Sequence, residues 1–167
     1  RVFIEEVNGA LQGCVFRFTQ GLEAGINRLC WGPDGSLYVG GIGNPGNWGQ
    51  SGKLHYGLQR LTYNEKPTFE MLKVEARTNG LEITFTEPLQ GSDGWRKEDF
   101  EIKQWYYLPN EYYGGPKMDL KNLNIVSTTV SDDKTKVFLE LKGMKENHVV
   151  YVHLLKNFIS STGNQLW

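Results

Sequence analysis

The segment Gly25-Ile-Asn-Arg-Leu-Cys-Trp-Gly-Pro-Asp-Gly-Ser-Leu-Tyr-Val-Gly-Gly41 constrains the chain most, because it spells out a complete β-hairpin. Ile26, Leu29 and Trp31 mark an outgoing strand, and Leu37, Tyr38 and Val39 mark its return. Between them Pro33 pre-sets φ and Gly35 accepts a positive φ, which together make a tight turn. A second hairpin signal, Asn8-Gly9, stands where both central residues of a type I′ turn need positive φ. Strands are predicted over residues 2–7, 13–18, 26–31, 37–41 and 57–63. No apolar run keeps a 3.6-residue period over three turns, so no helix is predicted.

The chain changes character between Asn64 and Pro67. Thirteen of its 20 glycines lie in residues 1–66, whereas 26 of its 37 charged residues follow. Two differently built segments, 1–66 and 67–167, are therefore expected. The second alternates cleanly: Leu81, Ile83 and Phe85 point one way and Glu82 and Thr84 the other, and Val137, Leu139, Leu141 and Val150, Val152, Leu154 repeat the pattern. Further strands are predicted at 69–76, 100–107 and 123–130, with turns at Asn79-Gly80, Ser131-Asp-Asp-Lys134 and Thr162-Gly163. Six or seven strands at this spacing in about 100 residues predict a two-sheet sandwich.

The hairpin Trp31-Gly-Pro-Asp-Gly-Ser-Leu-Tyr-Val39 resembles those of the sorbosone and aldose sugar dehydrogenase-like β-propellers that bind pyrroloquinoline quinone. More closely, the chain resembles the C-terminal region of large secreted Bacteroidetes multidomain proteins that carry such propellers. The run Leu81-Glu-Ile-Thr-Phe-Thr-Glu-Pro-Leu89, then Val137-Phe-Leu-Glu-Leu141, Val150-Tyr-Val-His-Leu154 and Ser161-Thr-Gly-Asn-Gln-Leu166, is similar to the Ig-like domains of bacterial surface and secreted proteins. The implied fold is all-β, with partial β-propeller-like antiparallel strands (1–66) packed on an Ig-like β-sandwich (67–167). The implied location is secreted or periplasmic. Propellers close from about four to eight blades, and this chain has material for little more than one. The resemblance thus carries no catalytic residue across, because the groups that hold the quinone belong to other blades.

A formal net charge of −1 offers no basic excess to neutralise phosphates, which argues against nucleic acid as a partner. No stretch approaches 18 consecutive apolar residues, so no membrane span is expected. Starting at Arg1 without an initiator Met or a signal-peptide pattern, the chain reads as a processed or excised segment. Cys14 and Cys30 lack C-x-x-C spacing. They read as two small buried residues, or as a bridge if their strands are neighbours.

Most motifs that could carry chemistry fail on context. Gly41-Ile-Gly43-Asn-Pro-Gly46 matches G-x-G-x-x-G and follows a strand, but Pro45 and the glycines beyond it open no helix to hold a pyrophosphate. Gly52-Lys53 is followed by Leu54 where a phosphate loop needs Ser or Thr. His55, His148 and His153 lack ligand spacing, and neither cysteine has the downstream His and Met of a blue-copper site. The pairs Glu98-Asp99 and Asp132-Asp133 lie in expected turns, where Asp caps its own backbone. No G-x-S-x-G is present. No catalytic residue, metal site or cofactor is predicted.

Aromatic residues remain. A Gly-rich loop from Asn47-Trp48 to His55-Tyr56 is long for a hairpin connection, and Trp105-Tyr-Tyr-Leu-Pro-Asn-Glu-Tyr-Tyr113 forms a second cluster. Sugar C–H faces stack on such rings while hydroxyls find amide and carboxylate partners. Interdomain packing uses the same residue types. The leading expectation is a non-catalytic structural or docking segment whose partner is the remainder of a larger parent chain or another domain. The alternative is a carbohydrate-binding module using Trp48, His55, Tyr56, Trp105, Tyr107, Tyr112 and Tyr113.

Overall fold

A computed structural model describes residues 1–43, 52–112 and 114–167. Its strands are β1 (Val2–Val7), β2 (Ala10–Val15), β3 (Ile26–Trp31), β4 (Leu37–Ile42), β5 (Tyr56–Leu61), β6 (Met71–Arg77), β7 (Gly80–Phe85), β8 (Phe100–Tyr107), β9 (Lys117–Asn122), β10 (Asn124–Val130), β11 (Lys136–Lys142) and β12 (Val149–Leu154). One 3-10 turn at Lys97–Asp99 precedes β8, and no α-helix occurs among the described residues. The protein is all-β, with several small antiparallel sheets, none of them closed.

The chain divides into two compact units, Arg1–Phe16 with Thr68–Trp167, and Arg17–Pro67. Where the sequence suggested one joint near residue 66, the structure has a second after Phe16. The cause is the β1–β2 hairpin, which is tied to β6 of the first unit. Arg1 pairs with Glu70 at 2.7 Å and donates to the Leu72 carbonyl at 2.8 Å. Glu5 accepts from the Ala76 amide at 3.0 Å, and the Cys14 thiol donates to the Val74 carbonyl at 3.6 Å. Asn8 and Gly9 both take positive φ, 52° and 78°. This two-residue turn fixes Val7 opposite Ala10, so β2 begins at Ala10 and ends at Val15, earlier than the 13–18 expected.

The rest of the first unit is sandwich-like. One sheet runs β10-β11-β7-β6 and the other β12-β8-β9. Alternation along each strand sends one set of side chains into a shared core. Leu81, Ile83 and Phe85 of β7, Val137, Leu139 and Leu141 of β11 and Ile125 of β10 meet Phe100 and Ile102 of β8, with Phe69, Leu89 and Phe158 from the connections. Ile83, Val137, Leu139 and Phe158 are fully buried. Phe158 closes one end, edge-on to Phe100 at 5.7 Å and tilted on Phe85 at 6.0 Å.

Gly80 opens β7, but neither it nor the preceding Asn79 takes positive φ. A Cβ there would lie 1.9 Å from the Leu139 carbonyl oxygen, so close strand approach, and not turn geometry, calls for this glycine. Strand β9 was not anticipated. Met118 and Leu120 alternate with polar residues along it, but burial does not follow them, since Leu120 is exposed and the pairing with β8 slips between Gln104 and Tyr106.

The second unit is built on the three-stranded sheet β3-β4-β5. Gly35 takes φ 73° in the β3–β4 turn, as its place after Pro33-Asp34 requires. Asp34 accepts from the Ser36 amide at 3.1 Å and hydroxyl at 3.0 Å and pairs with Arg60 of β5 at 2.8 Å. The Ser36 amide, followed by its hydroxyl and then Arg60, draws the Asp34 carboxyl below its ordinary range.

Candidate functional site

The sheet β12-β8-β9 turns its second face away from the core. With Phe100 and Ile102 pointing inward, Glu101, Lys103, Trp105 and Tyr107 must point outward along β8. On β12 the inward Val150, Val152 and Leu154 leave Tyr151 and His153 outward. Register completes the face, because residues directly opposite share a side: Lys103 stands opposite Tyr151 and Asn122, Glu101 opposite His153, and Tyr107 opposite Lys117.

Trp105 is the centre of this face and is 7% exposed. Tyr107 meets it edge-on at 6.2 Å, Tyr151 lies tilted at 6.4 Å, and the Lys117 ammonium sits 4.0 Å above its ring centroid. Beside it opens a groove of about 440 Å³, bordered by Lys103, Trp105, Lys117, Lys121, Asn122 and Tyr151. At the far end of the row Glu101 pairs with Lys103 at 2.9 Å and with His153 at 3.6 Å. The hydrogen bond from Lys103 is the main reason the Glu101 carboxyl titrates below its ordinary value. Tyr106 takes the opposite side of β8, its ring 5.4 Å from His148, as alternation requires.

Of the seven residues expected to contact carbohydrate, five are described. Trp48 and Tyr113 lie outside the described residues. His55 and Tyr56 belong to the unit Arg17–Pro67, with Tyr56 77% exposed at the start of β5. Trp105 and Tyr107 do come together, whereas Tyr112 is exposed in the β8–β9 connection, its amide donating to the Asn110 side chain at 2.9 Å. Tyr151 and Lys117 were missed. No sequence signal marked either of them, and only the register places them beside Trp105.

The acidic pairs are structural. Asp99 is 2% exposed, pairs with Lys156 at 3.2 Å and Arg96 at 3.3 Å, and accepts from the Gly94 amide at 3.2 Å. Burial opposes the charge on Lys156, but its bonds to Asp93 and Asp99 outweigh that and raise its pKa. Asp133 accepts from the Ser131 hydroxyl at 2.5 Å and from the Thr135 amide at 3.1 Å and hydroxyl at 2.9 Å. The Ser131 bond leads these in lowering its carboxyl to about 2. Two buried polar residues escaped the sequence reading. Glu87 accepts from the Thr162 hydroxyl and from Asn164 at 2.9 Å, anchoring the final turn. Gln104 donates to the Gly143 carbonyl at 3.0 Å and accepts from the Lys145 amide at 3.1 Å.

Both cysteines are free; Cys30 is exposed, not buried as expected, because it lies on β3 at the edge of its sheet, where Leu29 and Trp31 on the other face are exposed as well, and Cys14 is half-buried. Burial raises the Cys14 thiol pKa. Among the described residues no three His, Cys, Asp or Glu side chains are grouped to hold a metal ion, and no helix is long and apolar enough to cross a membrane. No protein-family model, curated protein or solved structure matches the chain.

Proposed function

We propose that the chain is a non-catalytic structural and docking segment of a secreted or periplasmic protein that resembles quinone-dependent sugar dehydrogenases. In this reading β3-β4-β5 is part of a propeller blade whose faces are covered by neighbouring blades of the parent chain. The observation that carries it is apolar exposure on both faces of one small sheet. Leu29 and Trp31 stand 61% and 70% exposed on one side, and Tyr56 and Leu58 stand 77% and 75% exposed on the other. Each such side chain would contribute about 1.5–3 kcal/mol on full burial. Among the described residues no strand pairs with the outer edges of β3 and β5, so this three-stranded sheet is also open to further strand pairing.

The sandwich unit supports an Ig-like reading. Its strand order, β10-β11-β7-β6 over β12-β8-β9, makes each of the connections β7 to β8, β9 to β10 and β11 to β12 cross between sheets, as in Ig-type domains. Such modules space and present their neighbours without chemistry of their own. The docking role is tested by placing Trp31→Asp and Leu58→Asp, separately and together, in the parent protein and in the isolated chain. The parent is expected to lose thermal stability while the isolated chain keeps its melting temperature. A parent protein indifferent to both charges would overturn the docking role.

A further inference from the structure

The outer face of β12-β8-β9 holds two unpaired groups within one site. Among the described residues no carboxylate pairs with Lys117, whose ammonium rests on the Trp105 ring at 4.0 Å. The indole Nε1 of Trp105 is buried and has no hydrogen-bond partner among the described residues. The other two lysines that border the groove differ, for Lys103 is held by Glu101 at 2.9 Å, and Lys121, opposite Gln104, turns its ammonium to Asp119 at 3.7 Å on the other side of the sheet. The groove therefore combines the uncompensated Lys117 ammonium and that of Lys103 with the ring of Tyr151, which is 44% exposed, and the amide of Asn122; none of the residues bordering it is acidic.

We propose that this groove binds an anionic glycan, a chain of sugars carrying carboxylate groups. The ring of Tyr151 takes the C–H face of one sugar, as aromatic side chains do in apolar contacts with polar rims. Lys117 takes the carboxylate, and Asn122 takes a hydroxyl. A neutral sugar would use the ring but leave Lys117 without a counter-charge. A nucleic acid would use the lysines, but the chain as a whole carries a net charge of −1 and offers no extended basic track along a phosphate backbone. The acidic glycan is the one ligand class that uses both halves of the site. This site involves no residue of β3, β4 or β5, so it and the docking role stand or fall separately.

The test is binding of the full chain to polygalacturonate, with heparin, neutral dextran, polyglutamate and single-stranded DNA measured in parallel. Polygalacturonate is expected to bind at least tenfold more tightly than dextran, polyglutamate or DNA, and to weaken as salt rises. Heparin that binds as tightly as polygalacturonate would extend the class to sulfated sugars and still support the site. Tyr151→Ala and Lys117→Met are each expected to lower affinity at least tenfold, with Lys117→Arg restoring it. The Met side chain keeps an apolar cover on Trp105, and unchanged melting temperatures for these variants separate loss of binding from loss of fold. Equal binding to polyglutamate or DNA, equal binding to dextran, no binding to any glycan, or variants that bind like the native chain would each overturn the proposal.

Discussion

Asp133 shows how a single turn residue sets a pH dependence. Its carboxyl is lowered from 3.8 to about 2 by Ser131 and Thr135, so the folded state favours the ionised form. The stability it contributes is present in full above its unfolded pKa, near 3.8, and is lost as pH falls through about 2. Asp133→Ala is therefore expected to lower the melting temperature at neutral pH, with the gap to the native chain closing between pH 4 and pH 2. A gap that stays constant down to pH 2 would refute this. Gly80 acts through space instead of charge. With a Cβ 1.9 Å from the Leu139 carbonyl, Gly80→Ala is expected to cost about 3 kcal/mol in denaturant unfolding. Asp133 was legible as a turn residue because its partners are within two positions. Glu87 and Gln104 were not, because Thr162, Asn164, Gly143 and Lys145 reach them from 39 to 77 positions away.

Among the elements, strands with strict alternation were readable and those without it were not. β7 and β11 declare their inward faces through Leu81, Ile83, Val137 and Leu139, and all four lie in the core. β9 pairs across an irregular register, so the alternation of Met118 and Leu120 does not map onto one face and the place of Lys117 on the Trp105 ring was invisible in the sequence. The two sheets also differ in what their apolar side chains do. Leu139→Ala, at a fully buried site, is expected to cost about 2–5 kcal/mol. Leu58→Ala, 75% exposed on β5, is expected to change the stability of the isolated chain by less than about 0.5 kcal/mol. Chemical denaturation of both variants checks the pair, and comparable losses would mean that β5 is buried after all.

For the molecule as a whole, the all-β class and the sandwich-like layering of the first unit followed from period-two patterning, which is a local property. The placement of the first hairpin on β6 did not, because it depends on Arg1, Glu5 and Cys14 finding partners some 60 to 71 residues away. The proposed role adds a claim about chemistry: the purified chain, given pyrroloquinoline quinone, a sugar and an electron acceptor, should show no turnover. Sustained oxidation after rigorous purification would contradict it. The most direct test of the docking role is amide hydrogen exchange along β3 and β5, compared between the isolated chain and the longer parent protein. The account predicts that residues 26–31 and 56–61 exchange readily in the isolated chain and become protected in the parent, while β7 and β11 stay equally protected in both. Equal exchange of β3 and β5 in the two forms would contradict it.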